Sequence, residues 1–437
     1  MTAVGDKKPF ARILQHLGWI LSGKGYGAVL SLIYLSIITH SLGPAGYGAF
    51  ALVLGTVAML QLVLSFNIWQ VLIKYGHEHI NAQNDLGLFR LIRFCTVIDI
   101  VTAAMGTVAV GLILWLGRAR LGIADELAWI AFAYAAMMMF SVRNVPRGIL
   151  RLQHQFRLAA LAEAVVPTVK LTGSLLALLV EPTLGMFLLV WSVGELLSTV
   201  VFWGLAARQL RRSYDAPVVG AWRRAWRENE GLPAMLLASN VGESAYAVGH
   251  QLPTLLVGSF AGVAEAGLYR LAHQLTQTIS LLGGLINLAS FTEMAHVFAK
   301  EGLGKTMSLF IKLTLVALGI VAVIAPVIIF LGKPILLLMS GPQFIGAYPF
   351  LLVLGLSACL QIISVSCEPL LLSVGRPRTL ITIRLIGTAV LLIAMYAMLE
   401  YMGAIGAAWA RVAADIVTLC LMFGASIYVL RKIRTKI

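Results

Sequence analysis

The stretch LGPAGYGAFALVLG, residues Leu42–Gly55, has a fainter second copy later in the chain, AGVAEAGLYRLAHQ at Ala261–Gln274. When the two copies are aligned, Gly48 matches Gly267 at an offset of 219 positions in a chain of 437 residues. A repeat at half the chain length is typical of a duplicated architecture. The fold is therefore predicted to contain two similar halves, each with this motif near its start.

The composition indicates a membrane protein. The sequence is 59% hydrophobic and 12% charged, with a mean hydropathy of +0.90, whereas soluble domains carry about 25% charged residues. Its long apolar runs, of about 20 residues each, can cross the hydrocarbon core as helices, and they do not alternate as barrel strands do. The predicted spans are 18–40, 47–71, 91–116, 125–142, 158–180, 185–207, 232–258, 263–292, 307–331, 346–372, 379–399 and 404–429. The predicted fold is all-α, a polytopic membrane protein of about twelve transmembrane helices in two pseudo-symmetric six-helix bundles around a central cavity.

The spans divide evenly about a basic segment. The predicted domains are an N-terminal bundle (1–207), a basic cytoplasmic linker (208–231) and a C-terminal bundle (232–437). An even number of spans makes both halves enter the membrane from the same side, so the repeat is predicted to be parallel, with its axis along the membrane normal. A second matching pair, ILRLQHQFR and LLLSVGRPR, lies at an offset of 221 and supports the duplication.

Lys and Arg residues concentrate in alternate loops and at both ends of the chain. The positive-inside rule then places both termini in the cytoplasm. The net charge of +14 is explained by this orientation signal beside anionic lipids, and no nucleic-acid partner is predicted. The four cysteines lack the spacing of a metal or disulfide site.

The motifs LGPAGYGAFAL, GILRLQHQFR and AGLYRL, each at its place among the predicted spans, resemble the polysaccharide transporter family. These are the O-antigen and exopolysaccharide repeat-unit flippases of the multidrug/oligosaccharidyl-lipid/polysaccharide exporter superfamily. The resemblance implies that the protein moves a polyprenyl-diphosphate-linked oligosaccharide from the cytoplasmic to the periplasmic leaflet by alternating access. It also implies a bacterial inner membrane location, and membrane lipids and glycan-assembly proteins as partners.

Polar side chains within the spans indicate the binding site, because ionisable groups in a membrane are costly unless they face protein or water. Residues 270, 273, 274 and 277 lie on one stripe of the eighth span, and residues 240, 243, 244 and 251 lie on one stripe of the seventh. The predicted substrate-binding residues are Lys24, Arg270, His273, Gln274, Gln277, Asn240 and Gln61. Lys24 and Arg270 are predicted to hold the diphosphate. The alternative is that these side chains pair helices inside each bundle.

Carboxylates within the spans are the candidates for coupling transport to an ion gradient. The sequence contains no phosphate-binding loop for ATP, so proton or sodium coupling is the expected energy source. The candidate residues are Asp99, Glu195, Glu243 and Glu368. No other cofactor and no metal site are predicted.

Several other charges have structural interpretations. Arg411 and Asp415, four residues apart on the last span, are either a structural pair or part of the cavity. Glu163 and Lys170 are too far apart for a tight local pair and need other partners. The arginines 143, 147, 151 and 157 are expected to mark orientation and contact headgroups.

Three rival functions are open to the sequence. A multidrug or small-cation exporter of the same superfamily is expected to have an acidic cavity, whereas the first and eighth spans here offer cations. A membrane enzyme of polysaccharide polymerisation or ligation needs reactive groups on an outer loop, and the short loops predicted here offer no such constellation. We therefore do not expect an enzyme. The third alternative, a passive scaffold for a glycan-assembly complex, does not explain the polar stripes of the seventh and eighth spans.

Overall fold

The protein is helical throughout its described length. The computed structural model describes residues 9–64, 66–117, 125–214 and 222–434; for residues 9–24 and a set of other positions it covers the backbone alone. The helices are α1 (Pro9–Leu64), α2 (Ile68–Asn81), α3 (Asp85–Gly117), α4 (Asp125–Met139), α5 (Asn144–Leu152), α6 (Phe156–Val180), α7 (Leu184–Ser213), α8 (Ala225–Glu228), α9 (Leu232–Ala261), α10 (Val263–Pro326), α11 (Gly332–Ser340), α12 (Ala347–Ile363), α13 (Cys367–Ser373), α14 (Pro377–Met402) and α15 (Ala404–Arg434).

Eight stretches of helix in the described part of the chain are long and apolar enough to cross a membrane. Two helices carry two predicted spans each: α1 departs from helical angles at Gly43 (φ 64°) and α10 at Gly302 (φ 73°). The prediction of an all-α membrane fold with about twelve spans is confirmed.

The end of the second span was predicted wrongly. The sequence suggested one span over 47–71, but α1 ends at Leu64 and a separate helix, α2, begins at Ile68. The buried residues of α2, such as Val71 and Tyr75, recur at helical spacing, and Lys74 and Glu78 on its other side are exposed. An amphipathic helix of this kind lies along the edge of a core rather than through its centre.

Contacts divide the chain into two compact units. The N-terminal unit comprises Met1–Leu42 and Val53–Ala247, and the C-terminal unit comprises Gly43–Leu52 and Val248–Ile437. In the N-terminal unit α6 packs along α7, and α2 packs against α3 and α5. In the C-terminal unit α14 packs along α15, and α10 packs against α12 and α13. The domain boundaries at 207 and 232 stay a prediction.

The backbone repeats the offset found in the sequence. Three pairs of residues with positive φ are separated by 219, 219 and 221 positions: Gly43 with Gly262, Gln83 with Gly302, and His154 with Gly375. A positive φ is uncommon outside glycine because the Cβ atom crowds the neighbouring carbonyl. Its recurrence at equivalent positions, twice with a non-glycine partner, is evidence for the duplication that does not depend on side-chain identity.

The two copies of the opening motif pack against each other within the C-terminal unit. A Cβ atom at Gly48 would overlap the Val263 carbonyl oxygen and lie 3.2 Å from the Gly267 nitrogen. A Cβ atom at Gly267 would overlap the Pro44 carbonyl oxygen and lie 2.9 Å from the Gly48 nitrogen. The motif is therefore a glycine contact between two helix starts, where the missing side chains let the backbones touch.

Candidate functional site

A group of polar residues lies at one level of the C-terminal unit, on α9, α10, α12 and α15. This C-terminal polar cluster consists of His250, Gln251, Arg270, His273, Gln277, Ser357, Gln361, Arg411 and Asp415. Arg270 Nη1 donates to Gln251 Oε1 at 3.1 Å. One turn later on α10, His273 is 6% exposed and its ring stacks on Tyr269, with centroids 6.0 Å apart. The spacing on α10 thus delivers the predicted side chains to one place.

Arg411 and Asp415 complete the cluster from α15. Arg411 Nε lies 3.4 Å from Asp415 Oδ2, and Arg411 Nη1 donates to the Gly249 carbonyl oxygen at 2.8 Å. Asp415 also accepts hydrogen bonds from Ser357 Oγ and, at 3.1 Å, from Gln361 Nε2. The structure therefore contains the Arg411–Asp415 ion pair. The cluster has two guanidinium groups for one carboxylate, so its described side chains have a positive balance.

A small cavity of about 50 Å³ opens among the cluster residues, lined by both histidines, Gln277, Gln361 and Arg411. The Nδ1 atom of His273 is buried and has no hydrogen-bond partner among the described residues. A polar cavity of this size holds one or a few water molecules. The cluster therefore surrounds a polar cavity large enough for water inside the C-terminal unit.

The N-terminal unit holds a second set of charges. Glu195 on α7 is paired with Arg143 at 2.5 Å and with Lys170 on α6 at 2.9 Å. The Lys170 ammonium also lies 5.0 Å from the centre of the Trp191 ring. All three charged side chains are at least four-fifths buried. Burial of such a triad is tolerated only because each charge has a partner.

Two of the arginines that were expected to contact lipid headgroups are held by carboxylates of the protein instead. Arg143 is held by Glu195, and Arg147 lies 3.4 Å from Glu163 on α6. The orientation that these arginines were expected to mark stays a prediction. Burial lowers the pKa of Arg147, although the guanidinium still carries its charge. The expectation that Glu163 and Lys170 have other partners is confirmed.

A larger cavity, about 340 Å³, lies in the N-terminal unit where α1 ends and the chain turns from α4 into α5. We call it the Asp99 cavity. Its polar lining includes Gln61, Asn67, Asp99, Ser141, Asn144 and Arg147. Asp99 is 3% exposed, and its Oδ2 atom has no hydrogen-bond partner among the described residues. Interrupted helices and a buried carboxylate are features of polar sites within membrane proteins.

Each unit contains an ion pair at the same position of the repeat, with the acid and the base exchanged between the two units. Arg147 and Glu163 join α5 to α6, whereas Glu368 and Arg384, 2.9 Å apart, join α13 to α14. Both members are displaced by 221 positions, the offset of the surrounding sequence. The sequence analysis missed this relation, although an acid aligned with a base at both positions was a visible signal.

The structure places the other predicted residues as follows. Asn240 donates to the Val63 carbonyl oxygen at 2.8 Å, and Gln61 donates to that of Met138 at 3.2 Å, both within the N-terminal unit. Gln274 lies half-buried on α10. Glu368 is also bonded by Asn287 at 3.1 Å. The Lys24 and Glu243 side chains lie outside the described residues.

The structure thus brings Arg270, His273 and Gln277 together in the C-terminal unit, and Gln61 and Asp99 together in the N-terminal unit. The shared central cavity stays a prediction. The sequence analysis missed the contributions of Ser357, Gln361 and Arg143. Their polarity was visible, but their partners are on other helices. Only the i, i+3 and i+4 relations within a helix can be read from the sequence.

Comparisons with known proteins identify the family and the fold. Residues 13–298 match the family described as polysaccharide biosynthesis protein. The inner membrane protein YghQ of Escherichia coli (strain K12) is 26% identical over 342 residues, which are 78% of this chain and 95% of that protein.

Three solved structures are similar in fold. An inward-facing multidrug resistance MATE family transporter of the MOP superfamily has a TM-score of 0.73 at 16% identity, over 93% of this chain and 96% of that one. The lipid II flippase MurJ, in an inward closed conformation, has a TM-score of 0.69 at 13% identity, over 95% of this chain and 90% of that one. The third is a MOP superfamily transporter from Pyrococcus furiosus whose binding pocket is described as having reverse polarity. It has a TM-score of 0.62 at 16% identity, over 98% of this chain and 96% of that one. At these identities the likeness is one of fold.

Proposed function

Because this chain belongs to the polysaccharide biosynthesis protein family, we propose that it is an inner-membrane flippase for an anionic, lipid-linked oligosaccharide. The substrate is a polyprenyl diphosphate carrying a saccharide repeat unit, which moves from the cytoplasmic to the periplasmic leaflet. The fold shared with MurJ and with MATE transporters supports a mechanism of alternating access. The protein acts without chemistry on the glycan.

The observation that carries this proposal is the positive balance of the C-terminal polar cluster. The cluster contains Arg270 and Arg411 but one described carboxylate, Asp415, which pairs with Arg411 and also accepts hydrogen bonds from two neutral side chains. The one hydrogen bond of Arg270 among the described residues goes to Gln251, so several of its N–H groups are available. A guanidinium in a span is costly to bury and binds phosphate oxygens well. This charge suits a diphosphate and repels a cationic drug.

We assign ion coupling to Asp99. Of the predicted carboxylates, Glu195 and Glu368 are held by lysine or arginine. Asp99 is buried and lines a cavity with one oxygen unpaired among the described residues. A carboxylate in such a place is suited to bind a proton or a sodium ion in exchange for substrate movement.

The second candidate function is export of a small cation or drug, which the same Asp99 carboxylate favours. Arg143 and Arg147 also line this cavity, but each lies beside a carboxylate, Glu195 or Glu163, so the choice between the two functions rests on the positive balance of the C-terminal polar cluster. The flippase remains the better supported function.

The test is the leaflet distribution of lipid-linked oligosaccharide in a deletion strain. We expect accumulation on the cytoplasmic face, cured by wild type and by Arg208→Ala, an exposed arginine at the end of α7. Arg270→Ala is expected to reach the membrane at wild-type levels and to leave the accumulation uncured. An unchanged lipid pool together with altered drug resistance would instead establish the exporter.

Ion coupling is tested with Asp99→Asn in everted vesicles that carry a proton or sodium gradient. Loss of the gradient's effect on transport, with substrate binding retained, is the expected result. Transport that still follows the gradient as in wild type would contradict the assignment of Asp99.

A further inference from the structure

A pocket of about 380 Å³ lies beside the first turns of α3, lined by Phe94, Arg223, Arg224, Trp226 and Arg227. We call it the headgroup pocket. We propose that it binds the phosphate of an anionic membrane phospholipid whose acyl chain lies along α3. The proposal does not depend on the flippase function, because it concerns a surface apart from the two clusters described above.

All the charged groups that line the pocket are guanidiniums. No described carboxylate pairs with Arg223, Arg224 or Arg227, and the nearest acid in sequence, Glu228, is bonded to Arg90 at 2.8 Å. Guanidinium groups bind phosphate oxygens through paired N–H donors. Three of them around one pocket favour a phosphate-bearing ligand.

The pocket is built on a firmly docked segment. The Arg90–Glu228 pair fixes α8 to α3, Asn229 bonds His79 of α2 at 3.0 Å, and Tyr75 Oη donates to the Glu230 carbonyl oxygen at 2.7 Å. These contacts fix the backbone that carries the three arginines before any ligand arrives. A fixed backbone avoids the part of the entropy cost of binding that comes from ordering the segment itself.

Aromatic rings form the wall of the pocket. Phe94 packs against Trp222 and Trp226, with ring centroids 6.0 Å apart in both pairs, and Trp226 is 51% exposed. Tryptophan is enriched at the boundary between hydrocarbon and water, where it meets headgroups. This wall indicates a lipid rather than a soluble phosphate.

An exposed apolar stripe continues from the pocket along the same face of α3. The α3 stripe consists of Val101, Met105, Val108 and Leu112, whose exposed fractions lie between 50% and 63%. These residues are spaced by four, three and four, and Val101 follows Phe94 by seven, so all share one face. At 1.5 Å per residue, the stripe begins about 10 Å beyond Phe94 and reaches about 21 Å beyond it at Val108, comparable with a lipid headgroup plus one leaflet of hydrocarbon, about 15 Å.

Headgroup pocket and stripe together match one phospholipid molecule. The phosphate would lie among the arginines, and one acyl chain would follow the stripe towards the bilayer centre. The orientation predicted from loop charge puts the pocket on the cytoplasmic leaflet, where anionic lipids attract basic residues.

The experiment is native mass spectrometry of the purified full-length protein with phosphatidylglycerol and phosphatidylcholine of identical chains. We expect wild type to prefer phosphatidylglycerol. The triple variant Arg223→Gln, Arg224→Gln, Arg227→Gln is expected to raise its apparent Kd for phosphatidylglycerol at least about tenfold, since it removes every guanidinium group that lines the pocket. The control is Arg208→Gln, Arg211→Gln, Arg212→Gln on exposed positions of α7, which removes the same charge and is expected to change the Kd less than about twofold.

An equal rise in the apparent Kd of both triple variants would overturn the proposal, because the net charge of the protein would then explain the weaker binding. Unchanged binding in the first variant would overturn it as well. Glycerol 3-phosphate binding as tightly as phosphatidylglycerol would replace the lipid with a soluble ligand, and displacement by polyprenyl diphosphate at a lower concentration would assign the pocket to that lipid. Thermal unfolding without lipid checks the fold of each variant. The variant Trp226→Ala keeps every arginine and is expected to weaken phosphatidylglycerol binding too.

Discussion

Replacing Gly48 by alanine tests the contact between the two motif copies. The added Cβ atom would overlap the Val263 carbonyl oxygen and lie 2.8 Å from the Val263 carbonyl carbon. Both atoms belong to backbone, so no side chain can rotate away. The two helix starts must therefore separate by about 1.5 Å to restore an ordinary van der Waals distance of about 3.4 Å.

Separation opens a well-packed region. Neighbouring residues Ala51, Leu52, Ala266 and Leu271 are each 1% exposed or less, and overpacking of a tight core costs about 1–3 kcal/mol or more. Since the backbone itself must move, we expect the free energy of unfolding to fall by an amount at the upper end of this range, about 3 kcal/mol. At about 2 °C per kcal/mol for a unit of roughly 200 residues, the Tm should fall by about 6 °C.

The assay is thermal unfolding of the purified protein in a mild detergent, followed by tryptophan fluorescence. Gly204→Ala on α7 is the control, because a Cβ atom there meets nothing within 4 Å. Gly267→Ala should destabilise similarly, and the double variant should lose less than the sum, since either substitution opens the same contact. A Gly48→Ala protein that unfolds within 1 °C of wild type, or a strictly additive double variant, would refute the reasoning.

Three further outcomes are expected. Glu195→Gln should lower the free energy of unfolding by about 3 kcal/mol, because two buried cations lose their carboxylate. Glu368→Gln, in a more exposed pair, should lower it by less than about 1 kcal/mol. Equal Tm shifts in the two variants would contradict this expectation. Gly375→Ala should cost about 1 kcal/mol through its positive φ of 76° alone, and a rise in Tm would show that the turn tolerates a side chain. A cysteine at the exposed Ala45 should react with an impermeant thiol reagent on intact cells, and labelling only after permeabilisation would reverse the predicted orientation.

The candidate site could be predicted from the sequence where its geometry is local. Arg270, His273 and Gln277 share a face of α10 because the helical period alone sets that relation. The i, i+4 spacing offered Arg411 and Asp415 as a pair, but their other partners could not be predicted, since Gln361 approaches from α12 and Gly249 from α9. The same holds for Arg143, which the sequence assigned to headgroups and the fold pairs with Glu195.

The sequence by itself determined the membrane class, the helical fold and the duplication. Hydropathy and repeat offset are properties of position along the chain, and each span satisfies its own backbone hydrogen bonds. The contact of Gly48 with Gly267 and the place of Asp99 in a cavity are set by tertiary structure, which also brings the two aligned acid–base pairs within ion-pair distance. These relations join residues far apart in sequence, and their energies depend on the packing distance and burial that only the folded chain sets.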